Sequence, residues 1–174
     1  MTAFLEDDLV IGRRVKIEQR VLARRDGRRE LRELVVHPGS VVLLPLLEDG
    51  RIVMIRNHRW AVDRTLLELP AGTLEPGEDP AVCAARELEE ETGYRAAQLE
   101  PLIGFFPAPG GSDERMALFL ARGLAASEQK LDQTEQIEVV PLALNDVLAR
   151  IRANEIEDAK TIASVLYFHT FLRR

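Results

Sequence analysis

The chain has 174 residues, with 23 Lys and Arg against 29 Asp and Glu and a formal net charge of −6. That length suits one domain with a real core, and the acidic balance leaves no electrostatic footprint for nonspecific binding to nucleic acid. The single cysteine, Cys83, excludes an internal disulfide framework and fits a reducing, cytoplasmic compartment, while the start MTAFLEDDLV lacks the basic opening of a secretory leader and no run reaches the ~18 apolar residues of a membrane span.

In chain order, Arg14 to Arg24 alternates through Val15, Ile17 and Val21 and meets Asp26-Gly27, a hairpin turn, and Glu30 to Val36 returns. His37-Pro38-Gly39 interrupts the pattern. Ser40 to Leu47 is nearly all apolar, as a strand buried on both faces is. Glu48-Asp49-Gly50 turns the chain into a second strand, Arg51 to Asn57, and Leu66-Leu67-Glu68-Leu69 is a short strand ended by Pro70. Gln98 to Phe106 and Arg115 to Ala121 read as strands joined by a glycine- and proline-rich loop, with a late strand at Gln136 to Pro141. Asn145 to Ala153 and Ala159 to Leu172 read as helices, the second with an apolar stripe through Ile162, Val165, Leu166, Phe168 and Phe171. The expected architecture is α+β, a mixed sheet flanked by helices with an N-terminal antiparallel hairpin.

Residues 72–94, GTLEPGEDPAVCAARELEEETGY, hold one base, Arg86, among seven acids. Asp79-Pro80 is a helix start and Thr92-Gly93 a helix stop. Around that helix, Ala81, Ala84, Ala85 and Leu88 share a small-residue face expected to pack closely. Glu87 and Glu91, at i and i+4, share another face with Glu90 on its edge, and Glu89 points elsewhere, into solvent. Two carboxylates about 4 Å apart repel by roughly 4 kcal/mol at an effective dielectric near 20, so this face either meets solvent or holds a cation. Grouped carboxylate oxygens suit Mg²⁺ or Mn²⁺. Cys83, one turn before Glu87, reads as a small packing residue with no histidine partner.

Gly72, Glu78, Arg86, Glu87, Leu88, Glu90, Glu91, Gly93 and Tyr94 fill every defined position of Gly-x5-Glu-x7-Arg-Glu-aliphatic-x-Glu-Glu-x-Gly-hydrophobic. In this the chain resembles the Nudix hydrolases. The resemblance implies an α/β/α sandwich over residues 40–174, with residues 1–39 as a separate strand and hairpin region. It implies metal-dependent hydrolysis of a nucleoside diphosphate linked to another moiety. Glu87, Glu90 and Glu91 would serve the metal, with the Ala71 carbonyl; Glu78 would pair with Arg86, supporting the site beside Gly72.

Glu68-Leu69-Pro70-Ala71-Gly72 and Pro107 to Glu114 resemble the ADP-ribose and nucleotide-sugar pyrophosphatases, with Pro109 sixteen positions after Gly93. On that resemblance Pro109, Ser112, Asp113 and Glu114 are substrate-binding candidates. Arg59, in Arg56-Asn57-His58-Arg59, is a candidate phosphate contact because a guanidinium fork matches phosphate oxygens; a plain surface arginine is the other reading. Arg32 and Glu33 are further substrate-binding candidates, since they lie where this subfamily often swaps a segment onto a partner subunit and helps frame the substrate's base or ribose, which implies a homodimer; a solvent-facing charged strand is the alternative. Phe105 and Phe106 stack on a base or fill the core. The subfamily's acidic loop is altered to Leu131-Asp132-Gln133-Thr134-Glu135-Gln136. Gln133 takes no proton, leaving Glu135 as the candidate general base with Asp132 in reserve, or else a box glutamate, or the metals alone. The expected reaction is hydrolysis of ADP-ribose or a related nucleotide sugar to a nucleoside monophosphate and a sugar phosphate. GDP-mannose, dinucleoside polyphosphates or an oxidised nucleoside triphosphate are alternative substrates, and a non-catalytic nucleotide sensor is the rival of another class.

Overall fold

A computed structural model describes residues 16–173. The expected beginning of the first strand at Arg14 and Val15, and the reading of the leader region, lie outside the described residues. Nine strands and three α-helices follow in the order β1 (Lys16–Ala23), β2 (Arg29–Val36), β3 (Ser40–Pro45), β4 (Arg51–Arg59), β5 (Arg64–Glu68), β6 (Ala71–Thr73), α1 (Pro80–Thr92), β7 (Tyr94–Phe105), β8 (Met116–Ala126), β9 (Ile137–Ala143), α2 (Leu144–Arg152) and α3 (Ala159–Tyr167), and α3 runs on into a π-helical turn, Phe168–Leu172.

The nearly all-apolar stretch at residues 40–45 forms β3, buried throughout. It lies in a four-stranded mixed sheet of order β6-β3-β8-β7, parallel to β8 and antiparallel to β6. Side chains alternate across a strand, so β3 feeds two cores. Val41 and Leu43 meet Cys83, Ala84 and Leu88 of α1 with Phe119 and Ala121 of β8. Val42 and Leu44 meet Ile52 and Met54 of β4, Leu118 and Leu120 of β8, Val147 of α2, and Val165 and Phe168 of the last helix. A second sheet, β5-β4-β9, is antiparallel throughout. Helix, sheets and helices thus stack as an α/β/α sandwich, the architecture expected.

Strand β6 was not among the expected elements. Three residues centred on Gly72 carry no alternation, and only pairing to β3 (Val41 opposite Gly72) makes them a strand. Strand β7 begins before its expected start and β8 ends after its expected end, because Tyr94 to Ala96 pair with Leu124 to Ala126. The hairpin β1–β2 forms at the Asp26-Gly27 turn, with Gly27 at φ 80° and the Arg28 N–H donating to Asp26 Oδ1 at 3.0 Å.

Helix α1 starts where Asp79 accepts the Ala81 N–H at 2.8 Å and ends where Gly93 adopts φ 68°, ψ 26°. Replacing Asp79 by alanine is expected to cost about 1 kcal/mol of stability, measured by urea unfolding, with the slope m unchanged.

Candidate active site

The face of α1 that turns inward is not the one that residue size suggests. Ala84 and Leu88 are buried, but Ala81 and Ala85 are exposed, and Cys83, Glu87 and Glu91 occupy the inner side instead. The cause is β6. Gly72 has no side chain, and a Cβ built there would overlap the Glu87 carboxylate carbon, Oε1 and Cγ. The helix therefore lays a carboxylate where a small residue would otherwise pack. Beside it the Ala71 N–H donates to Glu91 Oε2 at 2.9 Å.

Burial is costly for these acids. Glu91 is 3 % exposed; burial, together with the Glu87 charge, pushes it up to about 8 against the single favourable bond from Ala71. Burial likewise raises Glu87, and Arg86 only partly offsets it. Cys83 is pushed up to about 12, first by burial and then by Glu87, so its thiol is inert and the packing reading holds.

Arg86 is the local cation. Its Nε and Nη2 fork onto Glu78 at 3.0 and 3.0 Å, the expected pair, and the guanidinium holds Glu78 down at about 2. Its Nη1 also donates to Glu87 Oε1 at 2.7 Å and Glu90 Oε2 at 3.0 Å. Both carboxylates thus turn to Arg86, and among the described residues no three acidic, imidazole or thiol side chains converge as a finished cation cage. The donor chemistry still fits a divalent cation. Glu87 and Glu91 are buried like charges in a cradle of glycine and backbone, with Arg86 bonded to Glu87 but not to Glu91, and with hard oxygens that Mg²⁺-type ions prefer.

Glu89 is no solvated bystander. It accepts from Arg95 at 2.7 Å, Ser127 Oγ at 2.9 Å and Lys130 at 3.3 Å, and these partners, Arg95 first, hold it down at about 2. The segment after β8 doubles back over the end of α1: the Ser127 N–H donates to Gly93 O at 2.6 Å, the Lys130 N–H to Glu90 O at 2.9 Å, and Gln129 Nε2 to Glu91 O at 2.7 Å. Spacing along α1 does not show this partner from residues 127–130.

Facing the carboxylates is a cavity of about 360 Å³ lined by Asn57 to Ala61, Ala71 to Thr73, Glu87, Glu91, Thr134 and Glu135. Glu135 is half-buried there, and its Oε2 accepts the Asp132 N–H at 2.9 Å; Asp132 and Gln133 are exposed. The structure brings Glu135 to the box acids and leaves the reserve acid outside. Trp60, 67 % exposed, stands at the rim with its ring edge-on to His58 at 4.5 Å.

Arg59 is no plain surface arginine. Its Nε and Nη2 fork onto Glu68 at 2.8 and 2.8 Å, and Glu68 is fully buried. Burial opposes the Arg59 charge, and Glu68, with Glu91 beyond it, more than restores it. Lys160 of α3 also donates to Glu68 Oε2 and bonds Asp158 at 3.0 Å. Arg59 and Lys160 also line a second cavity of about 360 Å³ with Ser40, Glu114 and Asp158, and this cavity shares Ala71 to Thr73 with the first. Glu68, Asp158 and Lys160 were not read as site residues. The signal was present: a lone acid inside Leu66 to Leu69, and a lone lysine in the apolar stripe of the last helix.

The remaining candidates divide. Glu114 sits in the second cavity, accepting from Ser40 Oγ at 2.6 Å. Pro109, Ser112 and Asp113 line a separate groove of about 720 Å³ with Arg32 and Glu33 of the hairpin. That loop is tied to β2: the Val35 N–H donates to Gly111 O at 2.8 Å and the His37 N–H to Asp113 Oδ1 at 2.8 Å. Phe105 packs against the core and Phe106 is 55 % exposed.

Comparison with known proteins places the chain in a family. The chain is 42 % identical over 144 residues to an ADP-ribose pyrophosphatase of Bacillus subtilis (strain 168), covering 82 % of this chain and 78 % of that one. It is 39 % identical over 163 residues to a methanol dehydrogenase activator of Bacillus methanolicus, covering 92 % and 88 %. A crystal structure of an ADP compounds hydrolase superposes with a TM-score of 0.81 at 23 % identity, covering 95 % of this chain and 90 % of that one, a likeness of fold. The model of the NUDIX domain matches residues 36–165, so the chain belongs to the Nudix family.

Proposed function

We propose that the protein hydrolyses the pyrophosphate bond of ADP-ribose or a related nucleoside diphosphate sugar, with Mg²⁺ or Mn²⁺, giving a nucleoside monophosphate and a sugar phosphate. The observation that carries this reading is the juxtaposition across β6 of two buried carboxylates, Glu87 and Glu91, with the forked cation Arg59. Glu87, Glu90, Glu91 and the Ala71 carbonyl are the groups that would hold the metal. A divalent ion in that place neutralises an anionic diphosphate and acidifies water in contact with it.

The chain's own side chains supply the rest. Arg59 spends Nε and Nη2 on Glu68, and among the described residues Nη1 has no acceptor, so it is left to receive a phosphate oxygen. Glu135, across the cavity from Glu87 and Glu91, takes the proton of the attacking water, which then attacks phosphorus in line with the departing phosphate oxygen. Glu78 fixes Arg86, and Arg86 fixes the approach of Glu87 and Glu90. Glu114, Ser112, Asp113, Pro109, Arg32 and Glu33 stand along the two outer cavities, and on this reading they would receive the nucleoside and sugar ends of the substrate.

The test is kcat/KM on a panel of ADP-ribose, GDP-mannose, a dinucleoside polyphosphate and an oxidised nucleoside triphosphate, each with Mg²⁺ and Mn²⁺. AMP release from ADP-ribose at the highest kcat/KM is expected; failure to cleave any of them would leave the sensor reading standing. Glu135→Gln is expected to lower kcat about 10²-fold with KM nearly unchanged. An unchanged kcat would remove Glu135 from the role of base.

Residues 1–39 are read as the arm of a homodimer. Val21, Leu22 and Leu31 are 59 %, 50 % and 60 % exposed on a two-stranded sheet that pairs with no other strand among the described residues, and an isolated hairpin is marginal in water. A one-chain mass in light scattering would overturn the dimer. The cytoplasmic reading rests on the lone cysteine, and the net negative charge argues against nucleic acid as a partner. No helix among the described residues is long and apolar enough to cross a membrane.

A further inference from the structure

Glu68 is fully buried, yet it carries two cations: Arg59, 39 % exposed at its side chain, and Lys160, 8 % exposed. Buried charge of this kind is poor evidence for stability, because desolvation offsets most of the attraction and apolar replacements often do as well. Its geometry has another consequence. Each Glu68 oxygen accepts one prong of the Arg59 fork, and Oε2 also accepts the Lys160 ammonium. Lys160 is itself fixed by Asp158, whose carboxylate caps α3 by accepting from Thr161 N at 3.0 Å and Thr161 Oγ1 at 2.5 Å. Thr161 Oγ1 in turn accepts the Leu69 N–H at 2.8 Å, the residue next to Glu68. Glu68 is therefore held from both ends, by its backbone neighbour and by its carboxylate. A bidentate fork is planar and directional, so fixing the carboxylate fixes the direction in which Arg59 presents Nη1.

We infer that Lys160 is a positioning residue for phosphate binding: through Glu68 it sets the orientation of the Arg59 guanidinium. The inference rests on the pyrophosphatase reading for the role of Arg59. Without the ammonium, the buried Glu68 carboxylate has lost its second cation and tilts to share Arg59 differently, which turns Nη1 from its place.

The experiment is a double-mutant cycle of Arg59→Ala, Lys160→Met and the pair, read as KM and kcat on ADP-ribose with Mg²⁺. It is read in parallel as the dissociation constant for inorganic pyrophosphate with Mg²⁺ by calorimetry, which needs no turnover. Thermal unfolding of each variant is recorded, with Lys160→Gln in place of the methionine variant if that one is unfolded. Lys160→Met is expected to raise KM and the pyrophosphate constant about tenfold, a loss of charge-assisted binding, with a smaller change in kcat. Lys160→Arg should recover most of the loss, and in the Arg59→Ala background Lys160→Met should change nothing further. A penalty equal in both backgrounds, or a lowered melting temperature with KM and the pyrophosphate constant unmoved, overturns the inference. A wild-type protein that binds pyrophosphate but cleaves no nucleoside diphosphate compound would defeat the pyrophosphatase reading, while the calorimetric cycle still decides the role of Lys160.

Discussion

Glu91→Gln is expected to lower kcat on ADP-ribose about 10³-fold, the scale of removing a preorganised electrostatic group from an active site, while stabilising the metal-free protein. Both effects have one source. Glu91 is buried beside Glu87, and its carboxyl is pushed up to about 8 from an ordinary 4.5. Between those two values the folded chain holds a proton that the unfolded chain has released. Stability therefore falls as pH rises through that window, by up to about 1.4 kcal/mol per pH unit, and levels off above the folded value. Glutamine does not ionise, so the variant loses this slope. Without metal, the wild-type melting temperature should drop from pH 5 to 8 and that of Glu91→Gln should drop less. Added Mg²⁺ should raise the wild type near pH 8 by mass action on the folded state and leave the variant nearly unmoved. Equal response of the two proteins to Mg²⁺ would show that the metal is held elsewhere.

Gly72→Ala should cost about as much activity, about 10³-fold in kcat/KM, and little stability. The added methyl overlaps the end of the Glu87 side chain, which is flexible and swings away. The backbone of Gly72 is not in the left-handed region, so alanine introduces no dihedral strain there. Glu87 keeps its identity and loses its position. Parallel measurement of kcat/KM and melting temperature separates this from a folding defect: activity within about tenfold of wild type would mean that Glu87 has no role where it stands.

The two substitutions mark what the sequence discloses and what it does not. Asp79-Pro80 and Gly93 bound α1 because capping is local chemistry, and the apolar run at residues 40–45 announces a strand with cores on both sides. The pairing of Glu78 with Arg86 is what the resemblance to the Nudix box implies, and the fork is present. The inward face of α1 did not follow, because a helical wheel ranks residues by size and polarity, whereas here a glycine on a neighbouring strand decides which side chain has room. Glu89 was misread for a related reason: its partners Ser127 and Lys130 arrive from 38 and 41 residues away. Strand β6 exists only through its pairing with β3. Glu68 and Lys160 look like isolated charges in apolar segments until the fold closes a separation of 92 residues between them.

That long closure bears on how the chain is made. Synthesis delivers β4, β5, β6 and α1 first, so Arg59, Glu68, Glu87 and Glu91 emerge well before α3. Until Lys160 and Thr161 leave the ribosome, Glu68 lacks one of its two cations and the Leu69 amide lacks its acceptor. Glu68 and Leu69 lack the partners that settle the pocket around Arg59 until α3 packs there. The pocket around Arg59 is therefore complete only when residues 158–161 have joined β5.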